Sequence, residues 1–120
     1  MKFSKKFIYA LEIMHAINAH AGNPVSNDNL AQITKITYPN VMRVTNTLKL
    51  AGLIEAQIGR GGGYVLTQEG RNATLLKVYV HVEEKLDMLE NTPHGHIHEE
   101  ALENAEKAFA MVLCETKLFQ

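Results

Sequence analysis

The sequence predicts a mainly α-helical fold with a small β-hairpin wing: a winged helix-turn-helix followed by a C-terminal dimerisation helix. Three observations carry this. A helical pattern over 38–51 ends on Gly52; two short apolar runs follow, joined by Gly59-Arg60-Gly61-Gly62-Gly63; and a broad apolar stripe occupies 101–113.

In chain order, Phe7, Ala10, Leu11, Met14 and Ile17 keep helical spacing from Ser4 to about His20, and Gly22-Asn23-Pro24 stops the run. Lys5 and Lys6 stand at its start, as solvated charges or as phosphate contacts at the edge of a nucleic-acid interface. His15 and His20 read as surface or boundary residues, because two histidines without a third partner rarely make a metal site. Ser26 is positioned to cap a short second helix over Asn27 to Lys35, with Leu30 and Ile33 as its buried pair.

The third helix carries the most information. Thr37 fits an N-cap, Pro39 falls where a first turn tolerates a missing N–H, and Gly52 can close the helix in a left-handed conformation. At roughly 100° per residue, Val41, Val44, Thr45 and Leu48 share a core face. Pro39, Arg43 and Asn46, with Asn40 and Thr47 at the edge, lie opposite. Arginine matches a guanine edge and asparagine an adenine edge, so that face suits a major groove. Leu50 falls on the polar side and has no place in this pattern. Two short helices joined tightly, the second polar on one flank, make the helix-turn-helix outline.

Ile54, Ala56 and Ile58 alternate with Leu53, Glu55 and Gln57, the period of a half-buried strand, and Tyr64-Val65-Leu66 supplies its partner. Between them, four glycines in five positions allow close approaches, and Arg60 can reach a phosphate or a narrow minor groove. Residues 67–72 read as a loop, and Thr74 as the cap of a helix whose seam is Leu75, Tyr79, Val82, Leu86 and Leu89. A last helix from about His98 to Leu118 carries Ala101, Leu102, Ala105, Ala108, Phe109, Val112 and Leu113, with Lys117 near its negative end. Such a stripe needs a covering surface. Burial in a homodimer is favoured over packing on its own domain, with Leu102, Ala105, Phe109, Val112 and Leu113 as dimerisation residues.

A chain of 120 residues, 46% hydrophobic, is sized for one domain with a modest core. The division expected is a winged helix-turn-helix over 1–72 and a helical dimerisation region over 73–120, within one compact unit. The net charge of −1 conceals a split: residues 1–71 hold eight Lys/Arg against four Asp/Glu, whereas 72–120 hold four against nine. Any polyanion surface therefore belongs to the first part. One cysteine, Cys114, excludes an intrachain disulfide framework and fits a reducing compartment. The lysine-led apolar run at the start is interrupted by Glu12 and His15, unlike a signal peptide, and no stretch is long enough to span a membrane. A cytoplasmic location is expected.

Particular residues resemble a known family: Met1-Lys2-Phe3-Ser4 leading into Tyr9-Ala10-Leu11, Pro24-Val25-Ser26, Leu48-Lys49 with Ala51-Gly52-Leu53, and Gly62-Gly63-Tyr64-Val65-Leu66. Together they are similar to the Rrf-two family of bacterial winged-helix regulators, continuously from Met1 to about Tyr79 and more loosely beyond. That family includes the iron–sulfur biogenesis regulator, the nitric-oxide-responsive regulator and the cysteine-metabolism regulator. The resemblance implies a homodimer that reads a palindromic site in double-stranded DNA, and the expected role is that of a transcriptional repressor. It places Thr37, Tyr38, Pro39, Asn40 and Arg43, with Arg60 and Gly61 of the wing, against the duplex. Lys5, Lys6, Ser26 and Asn46 complete the candidate DNA-binding set. The family commonly has an arginine directly before the first wing glycine; here Ile58 stands there and Arg60 follows that glycine.

A second departure concerns sensing. Cluster-binding members carry three cysteines between the fourth and last helices, and the corresponding region, roughly Asp87 to Glu99, has none. An iron–sulfur cluster held by thiolates is therefore not expected, nor any other cofactor. The linker 91–98 instead holds His94, His96 and His98, whose alternation would put imidazoles on one side of an extended segment. Exposed histidines of a polar linker are the favoured reading, and metal at these three the alternative. Cys114 reads as a small buried hydrophobe ahead of a redox switch, because neighbouring Glu115 does not favour a thiolate. No acid or nucleophile is set beside the histidines, so no catalytic constellation can be named and no enzyme is expected. The competing function is a winged-helix protein-interaction module without specific DNA binding; the effector stays open. Untagged protein is expected to carry no stoichiometric metal and to bind DNA equally with and without chelator. Bound metal together with chelator-sensitive binding would reverse the reading of the linker.

Overall fold

A computed structural model describes residues 3–83 and 116–119. The elements run α1 (Lys5–Ala19), α2 (Asn27–Thr34), α3 (Tyr38–Leu50), β1 (Ile54–Gln57), β2 (Gly63–Leu66), α4 (Gln68–Arg71) and α5 (Leu75–Glu83). The expected mainly helical winged architecture is present, with one two-stranded antiparallel sheet.

Ser4 caps α1: its hydroxyl accepts from the Phe7 N–H at 3.1 Å and donates to the Glu83 carboxylate. Two lysines begin this helix with no acidic residue in its first turn, an unfavourable charge for the positive end of the helix dipole. Glu83, arriving from α5, brings the compensating negative charge to that end. The buried face is wider than expected, because Ile13 and Ala16 join Phe7, Ala10, Met14 and Ile17, while Leu11 is only partly covered. Being packed against both α3 and α5, α1 needs more than a narrow stripe.

In α2, Ser26 accepts from Asn29 N–H at 3.1 Å, and the helix closes on Lys35 in a left-handed conformation, φ 64°. Leu30 is fully buried, but Ile33 is 48% exposed, which corrects the expected buried pair. A helix of eight residues turns too little surface inward to bury both. Val41, Val44, Thr45 and Leu48 line the inner face of α3, as its periodicity predicts. Thr45 is buried at 1% exposure, and its hydroxyl lies 3.0 Å from Asn27 Oδ1 and 3.1 Å from Met42 O. One proton serves either acceptor, so the group is satisfied, and the first contact ties α3 to the start of α2. Thr37 occupies the N-cap position with extended backbone but makes no capping hydrogen bond, contrary to the expectation for its side chain. Ala51 is the C-cap, and Gly52 follows with φ 80°.

In the wing, Ile54 faces Leu66 and Gln57 faces Gly63. The expected half-buried alternation fails here: Ile54 is buried, but Ala56 and Ile58 are exposed, because the hairpin runs out from the body. Leu53, assigned to the outer set, is fully buried ahead of the strand. At the base, Val25 and Tyr64 exchange N–H···O bonds of 3.0 and 2.9 Å, so the residue before Ser26 adds a short third rung beside β2. A Cβ on Gly63 would lie 2.5 Å from Val25 C and 2.7 Å from Ser26 N, which leaves no room for a side chain.

Residues 67–72 are not merely a loop. Thr67 accepts from Gly70 N–H at 3.0 Å and caps the single turn of α4, while its hydroxyl donates to Gly52 O at 2.6 Å. Gly70 packs so closely that a Cβ would stand 2.0 Å from Leu53 O. Thr74 caps α5 through the Lys77 N–H at 3.2 Å. Val78, Tyr79 and Val82 of α5 enter the common core, where Tyr79 meets Phe7 edge-on at 5.2 Å between ring centroids. Residues 116–119 are not helical, so the last helix does not run to Leu118. Leu75 N–H donates to Thr116 O at 2.8 Å, Leu118 N–H donates to Ala73 O at 3.1 Å, and Thr74 bridges Lys117. Thr116 thus supplies an acceptor for one of the N–H groups that the first turn of α5 leaves without an intrahelical partner. Leu86, Leu89, the His94/His96/His98 linker, Cys114 and the dimerisation residues Leu102, Ala105, Phe109, Val112 and Leu113 lie outside the described residues.

Gly63→Ala and Gly70→Ala are each expected to cost roughly 1 to 3 kcal/mol in urea unfolding, since an added methyl meets backbone rather than a movable side chain. Wild-type stability in either variant would contradict the close approaches. Thr45→Val is expected to cost about 1 kcal/mol through the lost bond to Asn27, with Thr45→Ser restoring part of it.

Candidate nucleic-acid interface

The outer flank of α3 is built by elimination. Val41, Val44, Thr45 and Leu48 are committed to the core, and Tyr38, Pro39, Arg43 and Asn46 stand exposed with Asn40 half-exposed. Arg43 donates to Asn40 Oδ1 at 2.5 Å, one turn apart on the same flank. The bond uses one of five guanidinium donors and steadies the fork, leaving guanidinium donors and the Asn40 amide N–H₂ outside this bond. Thr47 is different. Its hydroxyl donates back to Arg43 O at 3.1 Å and is occupied within the helix.

The same flank holds Met42, a residue outside the expected set. Met42 is 46% exposed and the expected Tyr38 43%, so the surface is part apolar, a chemistry suited to thymine methyls. Lys49 and Leu50 extend it, Leu50 at 78% exposure. The signal for Met42 was present in its angular distance from Val44 and Leu48; its apolar character hid it.

Ser26 stands at the wing's base, because the Val25–Tyr64 bridge brings the start of α2 against β2. In the sequence Ser26 reads as a cap and a candidate DNA contact, and Gly63 as one of a glycine run that allows close approaches. The missed fact is that Gly63 joins the two, and a glycine immediately before a strand is the signal that could have revealed it. At the tip, Gly62 N–H donates to Gly59 O at 3.0 Å, and Gly61 takes φ 74°. Arg60 and Gly61 are exposed on this turn. Lys5 is exposed and Lys6 half-buried, on a different element, at the end of α1 that abuts Glu83. The structure thus joins Asn40 to Arg43 and Ser26 to the wing base, while the two lysines form a separate positive point.

Among the described residues, no cluster of three His, Cys, Asp or Glu could hold a metal, and no helix is long and apolar enough to cross a membrane.

The geometry agrees with the comparisons. The chain is similar to the solved structure of CymR (YrzC), the global cysteine regulator of B. subtilis, at 26% identity and TM-score 0.82, covering 98% of this chain and 93% of that one. It is similar to T. potens IscR at 25% identity and TM-score 0.79, covering 98% and 83% respectively. A putative transcriptional regulator from Listeria innocua, at 24% identity, TM-score 0.83 and coverage of 98% and 83%, shares the fold. A comparison with curated proteins gives no match. A family model described as "Rrf2: Iron-dependent Transcriptional regulator" matches residues 3–120, and the chain therefore belongs to the Rrf2 family of DNA-binding transcriptional regulators.

Proposed function

We propose that this regulator binds a palindromic operator as a homodimer and acts as a cytoplasmic repressor. The observation that carries the reading is the outward flank of α3, with Arg43 held by Asn40 beside an exposed glycine wing bearing Arg60. Two such heads related by a two-fold axis would enter successive major grooves about one helical turn, ~34 Å, apart. Arg43 and Asn40 make the base contacts, assisted by Asn46 and the first turn Thr37-Tyr38-Pro39. Lys5, Lys6, Ser26, Arg60 and Gly61 set the register on the phosphates. Dimerisation rests on the apolar stripe from Leu102 to Leu113.

The protein works without an iron–sulfur cluster, although the family description names iron. What supports this is the donor set: one cysteine in the whole chain, and none between Asp87 and Glu99. Its response would then differ from that of members that use a cluster.

Sequencing of the DNA bound genome-wide, followed by binding to the recovered site, tests the reading. Arg43→Ala is expected to cost ~1 to 3 kcal/mol on the specific site and little on random duplex, whereas Lys6→Ala weakens both alike. Equal losses for Arg43→Ala on the two duplexes would remove it from base reading. Affinity should fall steeply with added salt, because phosphate contacts release counterions; a flat response would instead favour the protein-interaction module.

A further inference from the structure

The wing tip is thin, and it carries two side chains. Between the last strand pair, Gln57 and Gly63, the loop holds only Ile58 and Arg60 among glycines. It is held thin by sterics as well as composition. A Cβ on Gly62 would stand 2.2 Å from Gln57 O, and the Gly59–Gly62 turn is closed by a 3.0 Å hydrogen bond. Ile58 is 99% exposed. Folding gains nothing from an isoleucine there, and a polar residue at the end of a strand would be easier to solvate. Its branched Cβ also makes it stiff at χ1, so little rotamer freedom is lost when it is buried against a partner.

We propose that Ile58 is an apolar wedge that enters the minor groove beside Arg60 at a flexible pyrimidine–purine step, so that the wing bends its DNA as well as holding its backbone. The inference rests on the regulator reading above and deepens it at the wing. A minor groove about 6 Å wide admits a bare backbone ribbon where it would reject a bulky loop. Apolar side chains inserted at a base step partly unstack it, and steps such as TA or CA/TG yield most easily. Arg60, two residues on, reaches the negative potential of the same groove, so the cation anchors the tip and the isoleucine deforms the duplex. Specificity then includes positions selected for deformability.

Duplexes enriched from a random-sequence library by the full-length protein supply the probe. On these, Ile58→Ser is expected to bind roughly ten- to a hundredfold more weakly, the loss set by the apolar surface no longer buried. Its bend angle by fluorescence energy transfer should shrink, and its salt dependence should be unchanged. Arg60→Ala should instead lower the salt slope by about one. Ile58→Met should retain affinity and bend. Because Ile58 is fully exposed, thermal unfolding of Ile58→Ser should match wild type, which separates the effect from misfolding. Wild-type affinity and bend in Ile58→Ser, or a lost salt slope or altered oligomeric state in that variant, would overturn the wedge while leaving the regulator reading intact. A wild-type protein that enriches no sequence would overturn the regulator reading, and the wedge with it.

Discussion

The backbone exchange between Val25 and Tyr64 is the constraint on which the reading head depends. Two hydrogen bonds, made possible by the missing side chain of Gly63, bind the start of α2 to the base of the hairpin. Two strands of four residues would be marginal on their own, and this third rung together with buried Ile54 and Leu66 anchors them. The wing therefore leaves the body in a direction set by the helix-turn-helix. The Thr45–Asn27 contact does the corresponding work between α2 and α3. Both couplings start from the same three-residue stretch, Val25 to Asn27, which makes it the hinge point of the whole head.

Around that head, the core is continued by α5. Tyr79 against Phe7 and Val78 and Val82 in the common cluster bring the helix after the wing into the same packed unit as α1. Residues 116–119 then return to the beginning of α5, where the Thr116 and Ala73 carbonyls accept from Leu75 and Leu118. His15 meets Phe119 edge-on at 5.0 Å, so this returning segment also touches α1. Movement of the segment would be felt at both α1 and the first turn of α5, through direct contacts rather than a long path.

The outward flank of α3 is a consequence of the core as much as of its own polarity. Four residues are drawn inward, and what remains outside is a mixture of a held guanidinium, amides, and the exposed Tyr38, Met42 and Leu50. Membership of a DNA-binding regulator family supplies a use for that mixture, since base edges present methyl groups as well as donors and acceptors. The chain's single cysteine, Cys114, lies outside the stretch from Asp87 to Glu99.

The sequence by itself determined the helix-turn-helix, the bounds of α3, the pairing of the wing strands and the family, because each leaves a local trace: a cap, a stop, a 3.6-residue period or a glycine run. It also placed Arg43 on the polar side of α3, with Asn40 at the edge of that side. Tertiary structure alone decided that Ile33 and Ile58 stay in solvent, that Leu53 goes inside, that Thr67 starts a helical turn and that Lys117 bridges Thr74. Those outcomes depend on what packs opposite. Periodicity tells which residues share a side but not whether another element covers it, and a bridge between Val25 and Tyr64, 39 positions apart, leaves no local signature beyond one glycine.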